Sequence, residues 1–501
     1  MRGHRASLDW IELRRDAAAP LQRQIGDQMK AAIADGRLPE GARLPSSRTL
    51  AADLAVARGT ATAVYDRLIG EGLLSVRDRS AVYVAEGLGP VPGREPRAEK
   101  SPPFRAMRLA IESDDELPPP HAAFLPGVPA LDVFPALAWS RLLATHSRNM
   151  ATDIAGEGTY VGGYPKLRAA LAGHLRSARG LSCTPEQVVV TNSARAALTA
   201  ACRLLARPGD ACLVEDPGYP IAHRIIVGCG LKAMPIPVDG DGMKVDADLP
   251  AASLAYVTPT HQLPLGVSLS ADRCRMLVAW ARRHSAWVIE DDYDSEFRYA
   301  GRPTVSLQRL DPYERVIHIG TFAKTMFPSL RAGFLIAPED IARDLAIVVH
   351  LGGQEPALHI QAALADFISN GHYAVHIRRA RAIYRRRQAL LVNALNRHLE
   401  GMVSLSPPPG GINLLLVLPP DIPAIKVQTL AAREGIHARA VSYYALKAEP
   451  PNALHLGFAP LADRLIEPAA ARLAGIVRSV RSGPSRLRRP GPVRRSGHPV
   501  S

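Results

Sequence analysis

The sequence predicts an α/β protein in which a small helical domain precedes a large domain built on a mainly parallel sheet. In residues 1–85, short amphipathic helical patterns are followed by two short apolar runs around a polar tip. After about residue 123, short apolar runs alternate with helical segments. Near-continuous apolar strands that alternate with helices are typical of a parallel sheet covered on both faces. A chain of 501 residues is also too long for one ordinary core, so we expect two or more domains.

Composition divides the chain into four segments. Pro, Gly and charged residues dominate residues 86–122, and such a stretch buries too little apolar surface to fold by itself. Residues 481–501 are basic, rich in proline and without a hydrophobic face. We therefore predict an N-terminal domain over residues 1–85, a linker over 86–122, a large domain over 123–480 and a disordered tail over 481–501.

The charge of the chain favours an anionic partner. Its net charge is +14, and nucleic acid is the commonest partner of a strongly basic protein, although a generally Arg-rich proteome would give the same charge. Five cysteines without a CxxC pair indicate reduced thiols and no metal site. No signal-peptide core is present, and no apolar run approaches the roughly 18 residues that a membrane span needs. We expect a cytoplasmic protein that does not enter a membrane.

The N-terminal domain carries a helix-turn-helix pattern. The segment PLQRQIGDQMKAAIAD places apolar residues four positions apart, which predicts an amphipathic helix. Ser46 or Ser47 is then suited to cap a second helix, and a short break at residues 56–58 precedes a third helix, GTATAVYDRLIGEGLL. In this layout, the helix after the tight turn lies in the major groove of DNA. The segment LLSVRDRSAVYVA adds two short strands around a polar tip, which predicts a wing.

The segment LPSSRTLAADLAVARGTATAVYDRLIGEGLL resembles the GntR family of winged helix-turn-helix regulators over about 30 residues in register. The resemblance implies binding to double-stranded DNA. Carried over by position, it implies DNA contacts at Arg48, Arg58, Thr60 and Thr62. The two guanidinium groups suit guanine edges or phosphates, and Thr60 suits a phosphate. The alternative for each of these residues is a solvated position on a helix face.

One feature of the wing departs from the family. Its tip reads RDRSA, where the family usually has glycine residues. At this tip, Arg77 and Arg79 would contact phosphates of the DNA backbone.

Four apolar runs of the large domain end in polar clusters. VVVT is followed by NS, LAYVT by PTHQ, AWVI by EDDY, and RVIHIG by TFAK. Ligands of parallel sheets bind beyond the carboxyl ends of the strands, so these clusters are expected to form one site.

The residue types in these clusters match the needs of pyridoxal 5'-phosphate (PLP), a cofactor held by a lysine amine and by a carboxylate beside its pyridine nitrogen. Lys324 supplies the amine, and Asp291 supplies the carboxylate that keeps the nitrogen protonated. Tyr293 is within reach of the phenolate oxygen. A lone lysine after a strand is usually a surface residue, and an acidic run is more often solvated or a metal ligand. The order of the three residues and their attachment to strand ends favour PLP.

A helix N-terminus is predicted to hold the phosphate group. Ser193 and the N–H groups of Ala194 and Arg195 open the helix that follows VVVT. Backbone N–H groups at such a terminus attract anions, and Thr321 and Arg331 are expected to assist.

Residues from about 160 to 460 resemble the fold-type-I aminotransferase domain of MocR-type regulators, a subfamily of the GntR family. The matching stretches are GGYPKLRAAL, VEDPGYP, YVTPTHQLPLGVSLS, WVIEDDYDSEFRYAGRP, HIGTFAKTMFPSLRAGF and LHLGFA. The resemblance implies that Lys324 is the Schiff-base lysine, that Asp291 pairs with the pyridine nitrogen and Tyr293 with the phenolate, and that Thr321 and Arg331 lie at the phosphate. It further implies that Tyr219 stacks on the ring, and that His261 and Gln262 border the ring. The alternatives are core packing for Tyr219 and turn-stabilising contacts for His261 and Gln262.

Several positions depart from the subfamily pattern, among them Gly158, where a tyrosine is usual. Ala323 replaces a serine before the lysine, and Arg195 stands in a segment that replaces the usual Ser-Gly phosphate turn. His455 stands where catalytic aminotransferases of this fold tend to have an arginine that binds the substrate carboxylate. The loss of that arginine argues against fast turnover of amino acids, unless Arg439 or Arg224 compensates.

These observations predict a homodimeric transcription regulator that binds PLP and senses PLP itself, an amine or an amino acid through its aminotransferase-like domain. The alternative is a catalytically active PLP-dependent aminotransferase with an accessory N-terminal domain, and a regulator with slow residual transamination lies between the two. A third hypothesis, a protein that coats DNA by charge alone, predicts no sequence preference at fixed salt.

Overall fold

Two parts of the chain fold as separate compact units, residues 1–106 and 107–501. The structure, a computed structural model, describes residues 7–16, 19–77, 81–87, 122–148, 160–300, 306–405 and 407–481. The predicted linker over 86–122 and the predicted tail over 481–501 lie almost wholly outside the described residues, as does Arg79 at the tip of the wing.

The N-terminal unit has the elements that its apolar periodicity predicts. Its helices and strands are α1 Leu21–Ala34, α2 Ser47–Asp53, α3 Arg58–Gly70, β1 Leu74–Arg77 and β2 Ala81–Val84. The four-residue repeat of α1 buries Ile25 and Met29 completely, against Leu50 of α2 and Leu68 of α3, which are also completely buried. Because each helix contributes one apolar stripe, three short helices share a single small core.

The turn between α2 and α3 is fixed by local contacts. Of the two candidate caps, Ser46 is the one that caps α2, and its hydroxyl accepts a hydrogen bond from the N–H of Thr49 at 3.1 Å. The hydroxyl of Tyr65 in α3 donates to the carbonyl of Pro45 at 2.9 Å. Helix α3 begins at Arg58, inside the predicted break, so that Arg58 lies in its first turn. Strands β1 and β2 pair antiparallel as the predicted wing.

The large unit is built on an eight-stranded sheet of order β3-β10-β9-β8-β7-β4-β5-β6. Its strands are β3 Val188–Thr191, β4 Ala211–Asp216, β5 Lys232–Asp239, β6 Gly242–Met243, β7 Leu254–Val257, β8 Trp287–Asp292, β9 Val316–Thr321 and β10 Gly333–Ile336. The pairs β9–β8, β8–β7, β7–β4 and β4–β5 are parallel, whereas β10 and β6 run antiparallel to their neighbours. The prediction of a mainly parallel sheet is confirmed.

Helices cover both faces of this sheet. The helices of the large unit that precede the second sheet are α4 Ala136–Arg148, α5 Pro165–Arg179, α6 Ala194–Leu205, α7 Pro220–Gly228, α8 Ala271–Arg283, α9 Leu307–Leu310, α10 Glu339–Leu351, α11 Leu358–Ser369 and α12 His372–His398. Successive strand residues enter different cores: Val288 belongs to one apolar cluster and Ile289, its neighbour in β8, to another. Side chains of a strand alternate between the faces of the sheet, so a strand that is apolar at every position is buried on both sides.

A second, antiparallel sheet of order β11-β12-β14-β13 follows in the chain. Its strands and helices are β11 Ser404–Leu405, β12 Asn413–Val417, α13 Ala424–Arg433, β13 Arg439–Ala440, β14 Ala453–Gly457 and α14 Asp463–Arg481. Single turns of 3-10 helix lie at Leu131–Val133, Pro185–Gln187, Pro328–Leu330 and Val441–Tyr444. Among the described helices, none has both the length and the apolar character that a membrane crossing requires.

Candidate functional site

The polar strand ends of the large unit surround one cavity of about 220 Å³. Nine of the ten residues predicted to bind a cofactor line it, and these are Ser193, Ala194, Arg195, Tyr219, Asp291, Tyr293, Thr321, Lys324 and Arg331. The cavity lies where β3, β7, β8 and β9 end and the following loops begin, as expected for a parallel sheet. We refer to it as the strand-end cavity.

Asp291 presents one bonded and one unbonded oxygen. It is the penultimate residue of β8, and its Oδ2 accepts a hydrogen bond of 2.5 Å from the hydroxyl of Tyr256 in β7. Its Oδ1 is buried and has no hydrogen-bond partner among the described residues. Burial raises the pKa of Asp291 to about 6, because the charged carboxylate is poorly solvated there. A cationic N–H donor at this point would supply the missing hydrogen bond and lower that pKa, and the protonated pyridine nitrogen of PLP is such a donor.

Lys324 lies in the loop after β9, and its amine is buried. Its Nζ donates a hydrogen bond of 2.5 Å to the carbonyl of Gly127. Burial, and next the charge of Arg195, hold the pKa of Lys324 below its usual value. A lowered pKa increases the neutral fraction of the amine, and the neutral amine is the nucleophile that attacks an aldehyde.

The opposite part of the lining is suited to an anion. Ser193 caps α6, its hydroxyl accepting a hydrogen bond from the N–H of Ala196 at 3.2 Å, so the first N–H groups of the helix are exposed to a ligand. The side chains of Arg195, Arg331 and Thr321 line the same cavity. The partial positive charge of a helix N-terminus, together with two guanidinium groups, favours a phosphate at this end.

Tyr219 and Tyr293 form two further walls of the cavity. Burial raises the pKa of Tyr219, so it stays a neutral phenol. The hydroxyl of Tyr293 donates to the carbonyl of His261 at 2.8 Å.

The side chain of His261 is not brought to this cavity. Its Nδ1 lies 2.7 Å from Oδ1 of Asp294, and both residues are almost completely buried beside a second, much smaller cavity. The absence of a Cβ on Gly410 leaves room for the imidazole, since a Cβ there would lie 2.6 Å from Nε2. The backbone carbonyl of His261 accepts the hydrogen bond from Tyr293, which is a residue of the strand-end cavity.

The side chain of Gln262 makes contacts that stabilise the turn, which was the alternative to a position beside the PLP ring. Its amide donates to the carbonyl of Pro217 at 2.8 Å and to the carboxylate of Glu215 at 3.2 Å. Its side-chain oxygen accepts from the N–H of Leu265 at 3.1 Å.

The lining residues that were not identified from the sequence include Gly127, Tyr256 and Asn413. Tyr256 lies in the apolar run LAYV, where an aromatic residue is ordinarily part of the core. A buried tyrosine usually finds a partner for its hydroxyl, so the sequence could have indicated that Tyr256 bonds to a polar group near the site. Gly127 and Asn413 lie far away in the chain, and the sequence contains no signal that brings them to this site.

His455 does not offer a positive charge. It lies in β14, its Nδ1 is 2.8 Å from the hydroxyl of Tyr444, and burial lowers its pKa to about 3. Arg439 is its cross-strand neighbour, and the guanidinium of Arg439 lies 4.5 Å from the centre of the Tyr443 ring. Within the described residues, neither Arg439 nor Arg224 belongs to the lining of the strand-end cavity.

No group of three or more His, Cys, Asp or Glu side chains with the geometry of a metal site occurs among the described residues.

In the N-terminal unit, the side chains of Arg58 and Thr62 are exposed and lie four residues apart, on one face of α3. Arg48 is exposed in the first turn of α2. Thr60 is half-buried, and its position two residues after Arg58 points it away from the face of Arg58 and Thr62. The structure thus brings three of the four predicted DNA contacts to exposed positions near the N-termini of two successive helices.

Two family models match the chain. The model of bacterial regulatory proteins, gntR family, matches residues 21–84, and the model of aminotransferase class I and II matches residues 142–473.

Relatives match over nearly the whole length. The probable rhizopine catabolism regulatory protein MocR of Rhizobium meliloti is 39% identical over 455 residues, which are 90% of this chain and 92% of that protein. The HTH-type pyridoxine biosynthesis transcriptional regulator PdxR of Corynebacterium glutamicum is 34% identical over 435 residues, 87% of this chain and 91% of that protein. Among solved structures, the kynurenine aminotransferase of Pyrococcus horikoshii has a TM-score of 0.65 at 24% identity, covering 76% of this chain and 95% of that one. At that identity, the structural match shows the fold.

The fold and the two matched regions define a helix-turn-helix transcription regulator with an aminotransferase-like domain. The chain belongs to the MocR-type subfamily of the GntR regulators. This confirms the predicted family and fold class, and it favours the regulator over the catalytic alternative.

Proposed function

We propose that this regulator acts in the cytoplasm, binds PLP in the strand-end cavity, and changes its affinity for its promoter in response to PLP, an amine or an amino acid. The observation that carries the proposal is the buried, unbonded Oδ1 of Asp291 in a cavity that also holds the amine of Lys324. A buried acceptor without a donor costs about 1–3 kcal/mol, and a protonated pyridine nitrogen removes that cost.

The part of the strand-end cavity that contains Lys324 and Asp291 would hold the ring of PLP. When bound, PLP supplies an aldehyde carbon and an electron-withdrawing ring. Lys324 provides the amine for a covalent bond to that carbon, and Asp291 keeps the pyridine nitrogen protonated. Tyr293 would donate a hydrogen bond to the phenolate oxygen once its hydroxyl turns away from the carbonyl of His261, and Tyr219 would cover the face of the ring. His261 supports Tyr293 through its carbonyl, and its imidazole has no part in this assignment.

The opposite part of the cavity, at the N-terminus of α6, would hold the phosphate, and we call it the anion end. Ser193 and the N–H groups of Ala194 and Arg195 bind its oxygens at the N-terminus of α6, and Thr321 and Arg331 complete the set. Bidentate guanidinium contacts are strong and directional, so Arg195 and Arg331 also fix the orientation of the cofactor.

The site is better suited to sensing than to rapid turnover of amino acids. The pKa of His455, about 3, leaves a neutral ring where a carboxylate-binding cation would stand. An effector amine acts by favouring one conformation of the regulator, and its effect is limited by the difference between its affinities for the two conformations.

DNA recognition is assigned to Arg48, Arg58, Thr60 and Thr62. Arg58 and Thr62 would face base edges in the major groove, while Arg48 and Thr60 contact phosphates. We propose a homodimer, because two winged helices then read paired half-sites.

The proposal is tested by titrating the purified, PLP-depleted chain with PLP. We expect the absorbance of covalently bound PLP, a borohydride-trapped adduct detected by mass spectrometry, and a change of about fivefold or more in affinity for the chain's own promoter region. Failure to form the adduct would falsify PLP binding. Steady-state transamination at rates of about 1–10³ s⁻¹ would instead support the enzyme.

Tyr256→Phe is expected to weaken PLP binding about 10- to 100-fold, the range for the loss of one hydrogen bond to a charged group. The hydroxyl of Tyr256 stabilises the charged form of Asp291, so its removal raises the pKa of Asp291 above about 6 and leaves less carboxylate at neutral pH. Fluorescence or absorbance titration with PLP measures the change. Tyr313→Phe, at an exposed position, serves as the control. Equal PLP affinities of the two variants would remove Tyr256 from the site.

A further inference from the structure

The first described stretch after the linker region runs directly into the cofactor site. We call residues 122–133 the entry segment. Its backbone is fixed to the second sheet, because the carbonyl of Ala123 accepts from the N–H of His437 at 2.8 Å and the carbonyl of Phe124 accepts from the N–H of Gly457 at 3.0 Å. A Cβ on Gly457 would lie 2.1 Å from the carbonyl oxygen of Leu125, so the two backbones are in close contact.

Gly127, in the middle of the entry segment, contacts the lysine of the cavity. Its carbonyl accepts the hydrogen bond from Nζ of Lys324 at 2.5 Å, and its N–H donates to Oδ1 of Asn413 at 2.9 Å. Its φ of +74° favours glycine, and a Cβ at this position would lie 3.1 Å from Nζ of Lys324, which is closer than an ordinary contact. The entry segment therefore contacts the nitrogen that would form the covalent bond to PLP.

We propose that Gly127 senses covalent attachment of PLP to Lys324 and transmits it, through the entry segment, to the linker and the DNA-binding unit. This inference rests on the proposed function and names how the site is coupled to DNA binding. The hydrogen bond between Lys324 and Gly127 exists only while the amine has a hydrogen to donate in that direction.

The attachment step removes that donor. The lysine nitrogen forms a bond to the aldehyde carbon, and the aldehyde oxygen leaves as water with two of the three hydrogens of the ammonium group. One N–H remains at most, and the phenolate oxygen beside that carbon is the nearer acceptor. The carbonyl of Gly127 then loses its partner, and the hydrogen bond of its N–H to Asn413 alone remains to hold Gly127 in place.

The path from this contact to the linker is short. Ala122 precedes Gly127 by five residues, a length of chain that spans at most about 18 Å. Residues 88–121 connect Ala122 covalently to the N-terminal unit. The entry segment is thus the point at which the large unit continues into the chain that leads to the DNA-binding unit.

Amide hydrogen exchange on the full-length chain, with and without PLP, tests the contact itself. We expect faster exchange at Gly127 and at Gly457 once the adduct has formed, because the entry segment is held less tightly. The N–H of Gly209, which bonds to the carbonyl of Gly230 at 2.8 Å in a distant turn, should not change. Unchanged or slower exchange at Gly127 and Gly457, with the adduct present, would overturn the inference.

Gly127→Ala tests the coupling to DNA. The substitution strains the backbone at a φ of +74° and places a Cβ 3.1 Å from Nζ of Lys324, so it disturbs the contact between Gly127 and Lys324 regardless of PLP. We therefore expect the effect of PLP on promoter affinity to fall from about fivefold or more to less than about twofold. Gly209→Ala is the matched control, because Gly209 also has a positive φ, of +96°, and a Cβ there would contact nothing within 4 Å. A PLP response of Gly127→Ala equal to that of Gly209→Ala contradicts the coupling.

The two proposals fail in different ways. If no adduct forms in the unsubstituted chain, both the proposed function and this inference are wrong. If the adduct forms and promoter affinity responds to PLP, but exchange in the entry segment does not change, PLP binding stands and the role of Gly127 is wrong. The exchange experiment uses the unsubstituted chain, so this outcome does not depend on how well Gly127→Ala folds.

Discussion

Lys324→Ala is expected to abolish the borohydride-trapped adduct with PLP. The side-chain nitrogen that forms the bond is removed, while the residues of the anion end, such as Arg195 and Arg331, remain to bind PLP weakly and without a covalent bond. Mass spectrometry after reduction measures the adduct, and the absorbance of covalently bound PLP should disappear with it. This is the largest effect that we expect from a single substitution in the large unit.

Lys166→Ala is the matched control for this experiment. Lys166 is exposed in the first turn of α5, outside the lining of the strand-end cavity, so its loss should leave the adduct unchanged. An adduct of full yield in Lys324→Ala would mean that the attachment site is assigned to the wrong lysine.

Arg58→Ala is expected to weaken binding to the chain's own promoter region about 5- to 150-fold, the range for the loss of a bidentate contact to a base. Arg58 is exposed in the first turn of α3, where its guanidinium and the positive end of the helix favour the same anionic partner. The affinity is measured at one fixed salt concentration, because phosphate contacts make it strongly salt-dependent. The PLP spectrum of the variant should not change.

Arg67→Ala is the control on the same helix. Arg67 is half-exposed and forms an ion pair with Glu71, its Nε lying 2.9 Å from Oε1. Its loss removes the same charge from α3 but not from the face of Arg58. Promoter affinities that fall equally in the two variants would indicate a general charge effect, and normal affinity in Arg58→Ala would exclude Arg58 as a contact.

Features encoded over short stretches of chain were predictable. The apolar repeat of α1 and the cap at Ser46 depend on residues within a few positions of each other, and both are found in the structure. The strand-end clusters around Asp291 and Lys324 were also predictable, because parallel strands that alternate with helices must present their carboxyl ends at one edge.

The orientation of side chains within the turns was not predictable. His261 and Tyr293 lie in neighbouring strand-end loops, yet the hydroxyl of Tyr293 bonds to the backbone of His261 while the imidazole turns to the buried carboxylate of Asp294. Which of two adjacent side chains faces a cavity depends on partners that are more than 30 residues away in the chain.

The sequence by itself determined a DNA-binding helix-turn-helix domain, a mainly parallel sheet, and a lysine, an aspartate and a tyrosine at its strand ends. Only the tertiary structure decided that Asp291 has one oxygen bonded to Tyr256 and one left unbonded, and that Gly127, 197 residues from Lys324 in the chain, bonds to its amine. The physical reason is the distance along the chain over which each kind of interaction acts. Periodicity and capping act between neighbours in the chain, whereas hydrogen-bond partners in a buried site are selected by the packing of the whole unit.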